Sequence, residues 1–519
     1  MVLLSCSSTK HCNRRKKDVS PYDYGLAEAK NGIERYQVLQ KTHKAAVVAG
    51  VNVDYSGIDT ISIEIPPKAP KILLTQCNDF NDCVFLIKNQ SNFCYLFYYS
   101  AKSTPISVDK KSIDAGLFGS YQPLSKGQYL LLIEDENPWV LKRRGHSYGH
   151  IRKDILLIKN GRAKNSVTAP YNNEQSSPKC SFIPVYKEPL IIKNLHVRRD
   201  ESCTFVTDVI RVSGYNDLRL QNVSIYTPSN SLTNDAAISI SDCANVLFTD
   251  VRINGTYSQP EHSGYGISLN NVWNFRACSL FGNGAWGIFG NNNVNEATVE
   301  DSHINRFDIH CYGRDITFKN VKFFNLYNQF SSVYGTVFFK NCTFTDFVPV
   351  FLGSSYNSYV GFDVAMTDCV FNVTPQKNSL INIGVMPAET NSRIELNRKC
   401  WPNVKIHNLV VNMAEGTEEF GIFNNKNKGH ELNIDYLSMI SVDGLIINPH
   451  PATRVQKVYL SKDMFFTNIP VDCKFENVKV RQSNPLVKSS TNEPELLLEL
   501  NLPVVGGQVR LKNCEGFRQ

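Results

Sequence analysis

From about residue 190 the chain repeats one short pattern: apolar, polar, Asn or Asp, apolar, polar, apolar. Clear copies are Ile192-Lys193-Asn194-Leu195-His196-Val197, Leu220-Gln221-Asn222-Val223-Ser224-Ile225 and Phe248-Thr249-Asp250-Val251-Arg252-Ile253. Others centre on Asp301, Asn320, Asn341 and Asp368, and a weaker one on Cys278. Successive anchors are 28, 28, 28, 23, 19, 21 and 27 residues apart. On each side of the anchor apolar and polar residues alternate, as in a strand with one face buried. At the anchor the apolar phase slips by one residue, so the chain must bend there. Asn and Asp tolerate the left-handed backbone that a tight bend needs. A repeat of about 20–28 residues built from short strands is one coil of a parallel β-solenoid. Unequal spacing places a loop of variable length in each coil, and stacked Asn side chains would form a hydrogen-bonded ladder.

Ahead of the repeats, Ile33, Tyr36, Leu39, Ala46 and Val47 recur at helical spacing and predict a helix over 26–49. Ile61-Ser62-Ile63-Glu64-Ile65 alternates as a strand and stops at Pro66-Pro67. The chain then reads as strand-rich and irregular to about 170, with 84–87 and 129–133 the clearest strands. After 371 the repeats fade, although 404–411 and 475–480 still fit, and 490–519 reads as the closing end.

With 519 residues, 42% hydrophobic and 20% charged, the chain is neither disordered nor collagen-like. No run of about 18 apolar residues predicts a membrane-spanning helix. The net charge of +7 is small for this length and its basic residues are scattered, which argues against nucleic acid. The 15 Cys are odd in number and dispersed, so no disulfide framework is expected. Cys342, Cys369 and Cys514 fill the apolar slot after the anchor and read as buried small hydrophobes.

These repeats resemble the right-handed parallel β-helix superfamily of pectate lyases, polygalacturonase-like hydrolases and phage tailspike depolymerases. The resemblance covers about 190–480. It extends more loosely to Tyr22-Asp23-Tyr24-Gly25 and the following helix, which is similar to the N-terminal cap of those proteins. It implies an all-β, single-stranded right-handed parallel β-helix with a capping helix and a strand-rich N-terminal region. It also implies an extracellular or cell-envelope protein acting on a polysaccharide, as a monomer or homotrimer. The expected division is a truncated lipoprotein signal and tether over 1–20, the cap and strand-rich region over 21–185, and the solenoid with its C-terminal cap over 186–519. The signal rests on Leu3-Leu4-Ser5-Cys6, where Cys6 would carry the lipid and provide the sole membrane attachment.

Candidate chemistry concentrates in Arg306-Phe307-Asp308-Ile309-His310-Cys311-Tyr312-Gly313-Arg314. Strand alternation puts Arg306, Asp308, His310, Tyr312 and Arg314 on one face and Phe307, Ile309 and Cys311 on the other. The apolar set belongs inside, so the polar set faces out. Neighbouring coils offer Ser239, Ser241, Ser268, Asn270 and Asn291 outward, a floor of small or polar residues beside the charged strand. Residues 254–265, with Glu261, His262 and Tyr265, could form one wall of a groove, and Trp286 and Tyr356 could stack on sugar rings. Substrate contacts are therefore expected from Tyr312, His262, Tyr265, Asn270, Trp286, Asn291 and Tyr356.

Two mechanisms fit, with an acidic polymer favoured. In a lyase, His310 or an arginine removes the proton beside a uronate carboxylate, which Arg306 or Arg314 neutralises. In a hydrolase two carboxylates are needed, and Asp308, Asp315 and Asp242 are the candidates. No carboxylate pair of defined spacing stands out, so the lyase is preferred. Asp308 would orient His310 or act as an acid. The alternatives are a non-catalytic carbohydrate-binding or adhesin solenoid and a purely structural surface protein, in which Asp308 simply pairs with an arginine. The Arg143–Lys153 stretch could hold an acidic polymer or merely be solvated. His146 and His150 stand four apart between glycines, a poor zinc pattern. No cofactor is expected, and Ca²⁺ has no clear site.

Overall fold

The structure is a computed structural model that describes residues 17–515 apart from internal stretches, the longest of which are 256–264, 353–360, 384–402, 426–438, 462–471, 482–494 and 500–508. Parallel strands stack coil upon coil into one long sheet system, with neighbouring coils in residue-by-residue register. The winding is a right-handed parallel β-helix. Three strand columns wrap one continuous core. For example, Ile240, Leu269 and Ile309 line the first column, Phe248, Phe318 and Phe339 the second, and Val251, Phe323 and Phe344 the third. Phe323 and Phe344 stack at 5.0 Å with 3° between planes, and Phe318 and Phe339 at 5.0 Å with 13°. Each pair adds about 0.5–1.5 kcal/mol beyond its burial.

The coil bends occur where the repeat places them. Asn194, Asn222, Asp250, Asp301, Asn320, Asn341 and Asp368 all have φ between 49° and 55°. In the weaker copy Ser279, not Cys278, takes the left-handed position, at φ 57°. The amides form a partial ladder: Asn222 donates to Asn194 at 2.9 Å, Asn320 to Asp301 at 2.8 Å and Asn341 to Asn320 at 3.2 Å. A second bend joins the first and second columns. It uses two left-handed residues three apart: Asp242 and Asn245, Asn271 and Asn274, Asn293 and Glu296, Tyr312 and Asp315.

The helix begins later than its periodicity suggests, at Gly32, and runs to Ala49, capped by Asn31 and Gly50; a short 3₁₀ turn, Pro21–Tyr24, precedes it. Tyr36, Leu39 and Ala46 are buried, whereas Ile33 and Val47 face solvent. Its inner face closes the end of the core over Tyr55, Phe80, Phe85 and Phe97. Strands Thr60–Glu64, Val84–Lys88 and Phe97–Ser100 already belong to the solenoid and pair onto Leu190–Arg199 and Ile210–Ser213. Between them and the later coils, residues 104–184 contribute a separate five-stranded antiparallel sheet. One face of this lateral sheet, with Leu130, Leu132, Ile155 and Ile183, packs on Ala244 and Trp273 of the solenoid. Its other face holds a small core with Ile113, Phe118, Leu131 and Ile158. The lateral sheet therefore covers the bend between the first and second columns.

Cys342 and Cys369 are buried free thiols and Cys514 is half-buried; burial pushes the Cys342 thiol far up, which suits packing rather than reactivity. Among the described residues no group of three or more His, Cys, Asp or Glu could hold a metal ion. No described helix is long and apolar enough to cross a membrane. Cys6 and residues 143–148 lie outside the described residues.

Candidate functional site

Strand pairing defines two outward rows on the first column. One runs Tyr98, Arg211, Ser239, Ser268, Gly290, Asp308, Gln329. The other runs Ser100, Ser213, Ser241, Asn270, Asn292, Cys311. Strand Phe307–Cys311 joins its neighbour with a slip: Ile309 pairs with Asn291, but Cys311, not His310, pairs with Asn292. His310 is thus the extra residue of a β-bulge, a device that re-aims one side chain out of the regular ladder.

The bulge explains most of the differences from simple alternation. Phe307 and Ile309 point into the core, and Arg306, Asp308 and His310 point out. After the bulge the phase inverts. Cys311 takes the outward place and its thiol lies 3.4 Å from Asn292 Oδ1, so it does not join the interior. Tyr312 falls on the bend row of Asp242, Asn271 and Asn293, at φ 59°, and is buried beside Arg152, Asp135 and Tyr334. It is not part of the groove. Arg314 is carried to the row of Ala244, Trp273 and Asn295, under the lateral sheet. There it pairs with Asp315 at 3.1 Å and donates to Ser166 Oγ at 3.1 Å and Val167 O at 2.9 Å. It therefore holds the lateral sheet and does not face the Asp308 cluster. Asn291 also departs from expectation: it pairs with Leu269 and Ile309 and is fully buried in the core, while Asn292 takes the outward place. Asn270 is outward and half-buried, as alternation predicts.

The cluster that remains is compact. Arg306 donates to Asp308 Oδ2 at 2.5 Å and to Gln329 Oε1 at 3.0 Å, with its guanidinium 4.6 Å from the Tyr327 ring centre. Tyr265 enters from two coils earlier. Its hydroxyl donates to Asp308 Oδ2 at 2.7 Å and lies 2.8 Å from His310 Nε2. His310 Nε2 is 3.3 Å from the same carboxylate oxygen. Glycine makes the approach possible: a Cβ on Gly290 would stand 2.2 Å from Tyr265 Cδ2, and one on Gly287 2.9 Å from Arg306 Cδ. The strand start is held by amides, since Asn305 accepts from Ile288 N at 3.0 Å and Asn328 from Phe307 N at 2.9 Å.

Arg306 and Asp308 are sealed from solvent, although they point outward from the coil. Burial by itself would raise the Asp308 carboxyl, but the Arg306 charge, His310 and the Tyr265 hydrogen bond hold it below its ordinary value. Burial opposes the Arg306 charge, yet the Asp308 carboxylate holds the guanidinium above its ordinary value. The pair is therefore a fixed ion pair, and neither member can reach a substrate directly. The groups that meet solvent are His310, whose side chain is 17% exposed, and half-buried Tyr265.

The other carboxylates are placed elsewhere. Asp242 sits on the bend row, where it accepts from Asn271 at 2.8 Å and burial raises its pKa. Asp315 accepts from Thr336 N at 3.0 Å. His262, Trp286 and Tyr356, and Glu261 with them, lie outside the described residues. Sequence reading missed Gln329 and Tyr327. Their signal was the 21-residue step from Asp308 to Gln329, visible once the coils are aligned.

No family model and no curated protein sequence matches the chain. Its fold is similar to the tailspike protein gp49 of Pseudomonas phage LKA1, with a TM-score of 0.61 at 12% identity over 95% of this chain and 84% of that one. It is also similar to the tailspike gp61 of Pseudomonas phage phi297, with a TM-score of 0.54 at 12% identity over 93% and 84%. The solenoid has the fold of a right-handed parallel β-helix.

Proposed function

We propose that the chain is a polysaccharide-active β-helix protein, exposed outside the cell that makes it, which cleaves an acidic polymer by β-elimination. The observation that carries this is the Tyr265–His310 pair, held against a buried, charged Asp308 on the outward face of the first column. Likeness to tailspike proteins supports the same class. In this reading His310 takes the proton from the carbon beside a uronate carboxylate, and the Tyr265 hydroxyl protonates the departing glycosidic oxygen. The carbon–oxygen bond breaks as the carbon–carbon double bond forms. The positive charge that His310 gains would be stabilised by Asp308, whose Oδ2 stands 3.3 Å from Nε2 and fixes the ring. Asp308 and Arg306 act through His310 and Tyr265 as positioning residues. Hydrolysis has less support, because Asp308 is sealed and Asp242 and Asp315 stand on the bends.

The test incubates the protein, His310→Ala and Tyr265→Phe with acidic and neutral polysaccharides and reads reducing ends and the ultraviolet absorbance of unsaturated uronates. New reducing ends with absorbance, lost in both variants, would support the reading. Reducing ends without absorbance would replace it by hydrolysis. Binding of a polymer without any product would favour a carbohydrate-binding or adhesin solenoid.

A further inference from the structure

The outward row that holds Asp308 runs back without a large side chain through Gly290, Ser268 and Ser239 and ends on Arg211 and Tyr98. The parallel row beside it presents Asn292, Asn270, Ser241 and Ser213, a surface of amides and hydroxyls. At the far end four side chains from three neighbouring segments converge. The Tyr95 and Tyr98 rings stack at 6.0 Å with 12° between planes. Lys71 Nζ stands 3.8 Å from the Tyr98 ring centre and 4.7 Å from that of Tyr95. The Arg211 guanidinium lies 4.4 Å from the Tyr95 ring and donates to its hydroxyl.

This cluster is not packed away. The Arg211 side chain is 38% exposed, and Lys71, Tyr95 and Tyr98 are half-buried. Among the described residues the carboxylate paired with this cluster is Asp208, 3.7 Å from Arg211. Two cations pinned over tyrosine rings have restricted side chains, and ordering them on a ligand carboxylate costs less entropy than ordering free surface lysines. From Arg211 to Asp308 is four coil steps, or about 19 Å at about 4.8 Å per coil. That is a span of several sugar units along the row, with the Tyr265 ring lying over Gly290 at the end near Asp308.

We infer that Lys71, Tyr95, Tyr98 and Arg211 form a distal subsite that holds a uronate unit of the same polymer chain whose reacting unit lies at His310. The polymer runs along the solenoid axis, its hydroxyls facing the Ser and Asn rows. The inference deepens the proposed function and rests on it for the reacting end. The binding claim is tested without turnover.

The test is affinity electrophoresis of the full chain in native gels containing alginate, polygalacturonate, dextran sulfate or neutral dextran. The proteins compared are the wild type, Arg211→Gln, Lys71→Gln and Tyr98→Leu, each first shown to match the wild-type thermal unfolding midpoint. Arg211→Lys, which keeps the charge but loses the planar fork, replaces any variant that does not match. The expected result is retention of the wild type by a uronate polymer but not by dextran. Arg211→Gln and Lys71→Gln should each weaken that retention about tenfold, the loss of one charge-assisted contact, and Tyr98→Leu should weaken it by removing the ring that holds Lys71 in place. Retention unchanged in the variants overturns the subsite. So does retention by dextran sulfate alone, which is plain ion exchange, and so does no retention by either uronate polymer. If retention and its loss are seen but the digestion assay yields no product, the subsite stands and the cleavage reading falls. If product forms from a polymer whose retention the three substitutions do not affect, cleavage stands and the subsite falls.

Discussion

Acidification should loosen the N-terminal end of the solenoid through one side chain, His43. It lies on the inner face of the capping helix and is buried against Tyr55, Phe80 and Phe97. Its Nδ1 stands 2.7 Å from Leu73 O, which can only accept, so Nδ1 carries the proton. Nε2 then accepts from the Tyr55 hydroxyl at 2.7 Å. The fold therefore holds a neutral imidazole, and desolvation lowers its pKa from 6.5 to about 4. The unfolded chain binds a proton first as pH falls. The contribution is fully present above about pH 6.5 and is lost progressively as pH falls to about 4. A depression of about 2.5 units corresponds to about 3 kcal/mol. That is a sizeable share of the 5–15 kcal/mol typical of a folded domain. The assay is urea unfolding of the wild type and His43→Gln, in steps from about pH 8 to about pH 4. At neutral pH the variant should be the weaker protein, because it loses both hydrogen bonds. The gap should close by about 3 kcal/mol as pH falls, since the variant has no proton to take up there. Other histidines, such as His196 beside Asp82, are common to both proteins and cancel. A gap that stays constant or widens on acidification would refute the argument.

Other consequences can be checked by substitution. Asp308→Ala leaves the Arg306 charge buried without its carboxylate and should cost about 3–5 kcal/mol of stability, whereas Arg306→Met with Asp308→Leu should recover most of it; chemical denaturation of the three proteins decides this. Because the Asp308 carboxyl is held below its ordinary value of 3.8, its stabilisation is present above about pH 4 and disappears below it, a window separate from that of His43 and visible as a further fall in unfolding midpoint in strong acid. Gly290→Ala should push Tyr265 off the His310–Asp308 pair and, on the proposed cleavage, lower product formation about a hundredfold with little change in thermal midpoint, the mark of a misplaced group in an intact fold. Phe323→Ala should cost about 3–5 kcal/mol, because it removes a ring stacked on Phe344 and Phe347 and packed edge-on against Phe318 and Phe339.

The coils were legible because two local rules act on every repeat. Alternation sorts side chains between core and surface, as Leu220 and Ile225 beside Gln221 and Ser224 show. The bend requires a left-handed residue, and Asn222, Asp250 and Asn341 supply it. Where a rule was applied too rigidly, the prediction slipped. Spacing alone puts an anchor at Cys278, but Ser279 holds the left-handed backbone. The capping helix was legible from its apolar spacing, while its start depended on the Asn31 cap and the preceding 3₁₀ turn.

The candidate site was legible as a strand but not as an assembly. Arg306, Asp308 and His310 share a face for the reason alternation gives, whereas Tyr312 and Arg314 leave it because the bulge at His310 inverts the phase. A bulge is a property of two paired strands of unequal length, and one strand read alone does not reveal it. Tyr265, 43 residues before Asp308, joins the cluster only because stacking brings its coil over Gly290.

By itself, then, the sequence determined the repeat, its anchor bends and most interior positions, because each depends on a residue and its near neighbours; Asn291 and Cys311, beside the bulge, are exceptions. Tertiary structure alone decided that Arg306 and Asp308 are a sealed ion pair, that the lateral sheet claims Arg314, and that His310 and Tyr265 meet. Those outcomes depend on register between coils and on what covers each row, and both are settled by packing between segments far apart in the chain.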